Sequence, residues 1–246
     1  MTAPREHDDA TEQPGRFVYR WPKADITVDC VVFGLEEQED GPRVLLVRRG
    51  KPDEPFHGRW ALPGGFIEMD ESLEESARRE LESETGVSLS YLEQLYTFGT
   101  PGRDPRGRVV TIAYLALVRP NDVELAAADD ADDARWFAVD ALPELAFDHD
   151  AIIELARRRL RSKLRWQPVG FGLLPERFTL SELQRVYEVI LGHELDKRNF
   201  RRKVLGFEVL VDTGEWQREV GRPAKLYHFD ERKYRTLLER GVDFEV

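Results

Sequence analysis

Apolar and polar positions along the chain fall into two textures. The runs ITVDCVVFGL (residues 26–35) and RVLLVRR (residues 43–49) are apolar and β-branched, with the acidic turn EEQEDGP between them. Such runs bounded by turn residues predict two strands. LSYLEQLYTFG and RVVTIAYLALV (residues 108–118) predict two more around the loop TPGRDPRG. ADDARWFAVDAL adds a short strand and a turn, and HGRWALPGGF is broken into loop or short strand by Pro63 and the Gly64–Gly65 pair. Helical spacing appears twice in this half. Asp70 is placed to cap a helix that runs to about Thr85, where Gly86 stops it. Over residues 148–164, Ile152, Ile153, Leu155, Ala156, Leu160 and Leu164 recur near helical spacing.

Past residue 166 the texture changes. WQPVGFGLLPE is rich in Pro and Gly and reads as a linker. TLSELQRVYEVIL then opens with Thr179 and Glu182 at the spacing of a capping box. After the turn GHEL, DKRNFRRKVL predicts a second helix, capped by Asp196 and stopped by Gly206. FEVLV and AKLYHF predict strands joined by the polar segment DTGEWQREVGRP, and DERKYRTLLER predicts a closing helix. The expected divisions are a disordered lead-in (1–20), a first domain (21–166), a linker (167–175) and a second domain (176–246). The expected class is α+β.

Composition adds three constraints. A chain of 246 residues suits one large domain or two smaller ones. No apolar run is long enough to span a bilayer, and the leading MTAPREHDDATEQPGR is polar, without the apolar core of a signal peptide. The one cysteine, Cys30, sits in an apolar strand pattern, which excludes an intramolecular disulfide and suggests a reducing, cytoplasmic compartment. The net charge of −11 is unevenly spread. Residues 1–150 carry 16 Lys and Arg against 32 Asp and Glu, whereas residues 151–246 carry 20 against 15. The basic balance of the second half suggests that it meets a polyanion.

Candidate chemistry follows the same division. Gly64 and Gly65 let backbone approach a ligand closely, and the helix start beyond them offers free N–H groups to phosphate. Glu80 and Glu84 are four apart, so they share a helix face and suit Mg²⁺, which takes oxygen ligands and bridges to phosphates. Arg79 is placed to hold Glu71. The loop after the third strand carries Arg103, Arg106 and Arg108 around Asp104, and arginine forks onto phosphate or carboxylate. Phe98 is placed to stack on a base. Arg48, Arg59 and Trp60 are further candidates, although Trp60 also reads as core and Arg48 as a surface charge. In the second half, helix, turn, helix, two strands and a helix is the order of a winged helix-turn-helix. Lys197, Arg198, Asn199, Arg201, Arg202 and Lys203 crowd its second helix, where arginine pairs with guanine and asparagine with adenine. Phe200, Val204 and Leu205 are expected to face the core. Arg218, Arg222 and Lys225, in or beside the wing, are placed to meet phosphates, which position a protein without reading sequence.

The stretch GGFIEMDESLEESARRELESETGV resembles a Nudix box, G-x5-E-x7-R-E-U-x-E-E-x-G-U, with U a bulky apolar residue. Gly65, Glu71, Arg79, Glu80, Leu81, Glu84, Gly86 and Val87 fall on the pattern. The resemblance implies a mixed sheet between helices and a family that cleaves nucleoside diphosphates linked to another group, with a divalent metal. Ser83 departs from it, at the first glutamate of the E-E pair. A serine hydroxyl is neutral and short, and Glu82 lies about 200° around the helix from Glu80. Metal binding is therefore expected to be weakened and hydrolysis slow or absent, so no catalytic residue is assigned. The loop of Arg103 and Arg106 is similar to the ADP-ribose-recognising branch of that family.

The whole chain resembles the Nudix-related transcriptional regulators, most closely in LDKRNFRRKVL and GRPAKLYHF. That resemblance implies a homodimer on a two-fold DNA operator, control of NAD-related or sugar-utilisation genes, and ADP-ribose or a related nucleotide as effector; the expected member is a repressor of NAD-metabolism genes. The helix over residues 148–164 is the expected lever between the halves. The alternative is an active Mg-dependent ADP-ribose pyrophosphatase whose second module serves dimerisation or targeting.

Overall fold

Strand β1 (Asp25–Gly34) is apolar on both faces, and a sheet of seven strands is built around it. It pairs in parallel with β6 (Val109–Leu117) from Asp25–Val109 to Phe33–Leu117. Its other edge is shared between two antiparallel neighbours. Thr27, Val28 and Asp29 pair with β4 (Gly64–Phe66), while Phe33 and Gly34 pair with β2 (Arg43–Arg48). β3 (Trp60–Ala61) and β7 (Ala134–Ala138) flank β2, and β5 (Tyr91–Phe98) closes the sheet against β6. The computed structural model describes residues 21–35, 41–86, 89, 91–118, 134–217 and 223–240.

Alternation along β1 sends its side chains into two cores. Val28, Cys30 and Val32 meet Ala77 and Leu81 of α1 (Leu73–Thr85). Val31 and Phe33 join the core of α2 (His149–Leu164), which buries Ile152, Ile153, Ala156, Leu160 and Leu164. The sheet thus lies between helices. Asp70 does not cap α1. Ser72 does, its hydroxyl accepting the Glu75 N–H at 3.3 Å while the Glu75 carboxylate accepts the Ser72 N–H at 2.8 Å. The reciprocal pair satisfies two helix-end donors, which a lone aspartate further upstream cannot do.

The stretch expected as a linker is instead a 3-10 helix (Val169–Leu173) whose Val169, Phe171 and Leu173 are buried. Gly170 is there for contact rather than freedom: a Cβ on it would stand 3.0 Å from Leu164 Cδ1 and 3.2 Å from the Tyr187 ring. One continuous core therefore runs from the sheet through α2 and the 3-10 helix into the second domain. That domain consists of β8 (Phe178–Thr179), α3 (Leu180–Leu191), α4 (Lys197–Gly206), β9 (Leu210–Gln217), β10 (Ala224–Phe229) and α5 (Glu231–Glu239). Its small sheet has the order β8–β10–β9, and helix, helix and a two-stranded wing make it a winged helix. Thr179 and Glu182 form the expected capping box on α3, and Asp196 caps α4 through the Asn199 N–H at 2.7 Å. Phe200 and Val204 are buried, but Leu205 is 43% exposed and does not join them. Among the described residues no helix is long and apolar enough to cross a membrane.

Candidate functional site

A cleft of about 260 Å³ opens where β1, β4, α1 and the loop after β5 converge. Gly64, Gly65, Glu80, Glu84, Arg103 and Arg106 all line it, so the glycine turn, the acidic helix and the arginine loop share one site. Both glycines are required by close contact. Gly64 has φ 157°, and a Cβ there would fall 2.1 Å from the Val28 carbonyl oxygen. A Cβ on Gly65 would lie 2.4 Å from Glu80 Oε1.

The two helix carboxylates are held differently. Arg79 Nη1 donates to Glu80 Oε1 at 2.7 Å. Glu84 Oε2 accepts the Gly64 N–H at 3.0 Å. Burial pushes the Glu84 carboxyl up to about 8; the Gly64 hydrogen bond works against this, while Glu80 and Asp29 reinforce it. Arg79 also clamps Glu71 with two hydrogen bonds, of 2.9 and 2.6 Å, and holds its carboxyl at about 2. Glu71 and Arg79 stand beside the cleft and shape Glu80 without lining it. Ser83 is exposed, outside the cleft, and its hydroxyl donates to the Glu80 carbonyl at 3.1 Å. Glu80 and Glu84 are the residues that would hold a divalent cation together with ligand phosphates, because Mg²⁺ commonly uses one or two carboxylates plus phosphate. Among the described residues no group of three His, Cys, Asp or Glu side chains is arranged to hold a metal by itself.

The arginine loop is locked by its own acids. Asp104 is buried and accepts from the Arg106 backbone N–H at 2.9 Å and from Arg106 Nη2 at 2.7 Å. Burial works against the Asp104 charge, but the Arg106 hydrogen bonds outweigh it and bring its pKa below the ordinary value. The Arg106 guanidinium lies 5.2 Å from the Phe66 ring and 5.6 Å from that of Phe147. Arg103, only 4% exposed, forks onto Asp148 and lies 3.6 Å from Asp29. Two other expected contacts lie elsewhere. Arg48 is an exposed strand residue whose Nε donates to the Gly58 carbonyl. Phe98 packs edge-on to Tyr96 and against the core, away from the cleft, because β5 is the sheet edge furthest from β4.

Sequence reasoning missed Asp29, Arg49, Lys51, Glu54, Phe147 and His149, which also line the cleft. Asp29 had a signal, as the one charge inside an apolar strand. His149 is buried, and its Nδ1 accepts the Leu62 N–H at 2.8 Å, so its proton sits on Nε2, 3.6 Å from Asp29. Burial lowers its pKa, which keeps it neutral. Phe147 carried no signal. Its φ of 54° is costly for a bulky side chain, and the ring packs against Phe56 and beneath Arg49 at 4.9 Å. Arg49, Lys51, Arg103 and Arg106 face Asp29, Glu54, Glu80, Glu84 and Asp104 across this space. With cations and carboxylates nearly balanced, recognition here depends on positioned donors rather than on a broad positive field.

The second candidate surface is α4. Lys197, Arg198, Asn199 and Arg202 are exposed, with Arg202 donating to Asn199 Oδ1 at 2.6 Å. Arg201 and Lys203 are half-buried, and Arg201 Nη2 donates to Ser181 at the start of α3 at 2.9 Å. Arg218 and Arg222 lie outside the described residues.

Residues 23–156 match the NUDIX domain family, and residues 170–229 match the NrtR DNA-binding winged helix domain. The chain belongs to the NrtR-type Nudix family. It is 37% identical to the ADPR responsive transcriptional repressor NtrR of Acinetobacter baylyi, over 91% of this chain and 89% of that one. It also resembles Shewanella oneidensis NrtR crystallised with a 27mer DNA, with 42% identity and a TM-score of 0.76, covering 85% of this chain and 94% of that one. The NUDIX domain of the same Shewanella NrtR, solved with ADP ribose, is 39% identical with a TM-score of 0.52, over 61% of this chain and 94% of that domain. An ADP-ribose pyrophosphatase of Methanocaldococcus jannaschii is 42% identical over 50% of this chain and 69% of its own length. The NrtR family thus combines the two sites that this chain carries, a Nudix cleft and a winged helix.

Proposed function

We propose that this chain is a DNA-binding transcriptional repressor whose Nudix domain senses ADP-ribose instead of consuming it. One observation carries the reading: a cleft with glycine-backed carboxylates and arginines shares a continuous hydrophobic core with a winged helix whose second helix exposes Lys197, Arg198 and Arg202. Arg103 and Arg106 supply forked donors for a diphosphate, and the Phe66 and Phe147 rings supply apolar faces beside them. The winged helix acts as a homodimer on a two-fold operator, with recognition helices about one DNA turn apart. NAD-metabolism genes as targets, and release of DNA by the effector, follow from the family resemblance.

The second reading is an ADP-ribose pyrophosphatase, and a specific observation favours it: Glu80 and Glu84 both line the cleft. Against it, Glu80 is engaged by Arg79, the half-buried Glu84 accepts the Gly64 N–H, and Ser83 offers no carboxylate. Incubation with ADP-ribose and Mg²⁺ separates the two. A sensor gives a saturable calorimetric binding isotherm with no AMP released over the same hours, and AMP release at ordinary enzyme rates would establish the hydrolase.

A further inference from the structure

We propose that Arg103 and Asp148 form a latch that the ligand opens, and that this latch couples the cleft to the winged helix. The inference rests on the reading above, in which the cleft takes a diphosphate and α4 meets DNA. Among the cleft cations, Arg49 pairs with Glu54 and Arg106 with Asp104, each within a few residues of itself. Those pairs move with their own loops. Arg103 instead reaches 45 residues along the chain, donating from Nη2 to Asp148 Oδ1 at 2.6 Å and from Nε to both carboxylate oxygens at 3.1 Å.

Asp148 holds the N-cap position of α2, yet its side chain caps nothing. Among the described residues the other α-helices are capped by side chains: α1 by Ser72, α3 by Thr179, α4 by Asp196 and α5 by Asp230, which accepts from the Arg232 and Lys233 N–H groups. Aspartate is among the preferred N-cap residues, but with Arg103 on its carboxylate Asp148 sits at φ −105° and ψ 29°, outside the extended conformation of Ser72, Thr179 and Asp196, so capping by it requires the backbone at the start of α2 to move. A guanidinium fork fits phosphate as well as carboxylate, and the Nε–Nη2 edge that grips Asp148 cannot hold both, so the latch opens when a diphosphate competes for that edge. When a diphosphate takes Arg103, Asp148 is freed to accept the first-turn N–H groups of α2, and that end of the helix shifts.

The far end of α2 is docked on the winged helix. Arg161 Nε donates to the Ile190 carbonyl of α3 at 2.9 Å, and Leu160 and Leu164 lie in the core shared with Tyr187 and Ile190. Gly170 packs closely against Leu164 of α2 and Tyr187 and Val186 of α3, so a displacement of α2 meets the 3-10 helix and α3 directly. Movement of α2 is therefore passed to α3, and from Ser181 to Arg201 of α4.

Asp148→Asn tests the latch. Asparagine caps a helix but lacks the charge that holds Arg103, so the variant mimics the opened state. DNA affinity is measured by fluorescence anisotropy with and without saturating ADP-ribose, and ADP-ribose affinity by calorimetry. Allosteric couplings are commonly about 5- to 150-fold. The variant is expected to bind ADP-ribose at least as tightly as wild type. Its DNA affinity without ligand should fall to the ADP-ribose-loaded wild-type level, leaving a residual response under about threefold. A D148N protein that keeps the wild-type ratio overturns the latch and leaves the sensor reading standing. A wild type whose DNA affinity ignores ADP-ribose overturns both. Hydrogen exchange in the wild type needs no variant: the Ala151 N–H already donates to the Asp148 carbonyl at 3.1 Å, so it is the Asp150 amide that should exchange more slowly with ADP-ribose bound, and unchanged exchange there overturns the latch.

Discussion

Glu84 carries the sharpest electrostatic signature of the cleft. Its folded pKa of about 8 stands above the ordinary value of 4.5, so the folded chain prefers it protonated. The stabilisation relative to the ionised form is complete below 4.5 and is lost as pH rises through 8. Each unit is worth about 1.4 kcal/mol. Glu84→Gln should therefore flatten stability between those limits and be the more stable protein at the alkaline end. Parallel urea titrations across that range check this, and a wild-type profile as flat as the variant's would contradict it. Gly64→Ala should cost at least about 1–3 kcal/mol, because the added Cβ meets the Val28 carbonyl oxygen in a backbone conformation that side chains avoid. A thermal melt unchanged by the substitution would remove that argument. At this scale the sequence was legible where spacing carries chemistry: Gly64, Gly65, Glu80 and Glu84 meet because glycine pairs and helical periodicity say where they point. Phe147, His149 and Arg49 were not legible, since two distant places in the chain, the end of β2 and the start of α2, bring them together. Ser83 also changes meaning. It faces solvent, so the case against hydrolysis rests more on how Glu80 and Glu84 are held than on the missing carboxylate.

Elements were legible in proportion to the local physics that ends them. The capping box at Thr179 and the Asp196 cap stand where sequence places them, whereas α1 starts at Ser72 because its reciprocal bond to Glu75 beats a lone Asp70. The 3-10 segment was misread because glycine and proline mark turns and tight contacts alike, and only the packing around Gly170 tells them apart. Leu205 ends on the surface because α4 is short and turns its buried stripe through Phe200 and Val204 alone. Against the 3-10 segment, Tyr187 is fully buried and its hydroxyl finds no partner among the described residues. Tyr187→Phe should leave stability unchanged or raise it by about 1 kcal/mol, since an unmet buried hydroxyl costs more than its absence; a clear loss of stability would reveal a partner. On α4, Arg198→Ala, which removes an exposed cation, should weaken operator binding and leave ADP-ribose binding intact. Unchanged operator affinity in an anisotropy titration would count against this helix as the DNA-facing one.

At the scale of the molecule, charge and core point in opposite directions, and the function lies in their combination. Charge separates an acidic first half from a winged helix that is neutral as a whole, with 14 Lys and Arg against 14 Asp and Glu over residues 176–246, so polyanion contact falls to the cations concentrated on α4. The core joins the halves, so a change in the cleft has a packed route to α4. DNA binding should weaken steeply with salt, with a log–log slope of about −0.9 for each phosphate contact. The most direct test of the central claim is a mobility shift of the chain's own upstream DNA, at fixed salt, with increasing ADP-ribose. A shifted band that ADP-ribose releases, with the nucleotide recovered intact, is the result expected of a sensor-repressor. Failure to shift DNA, or a shift indifferent to ADP-ribose, would contradict it.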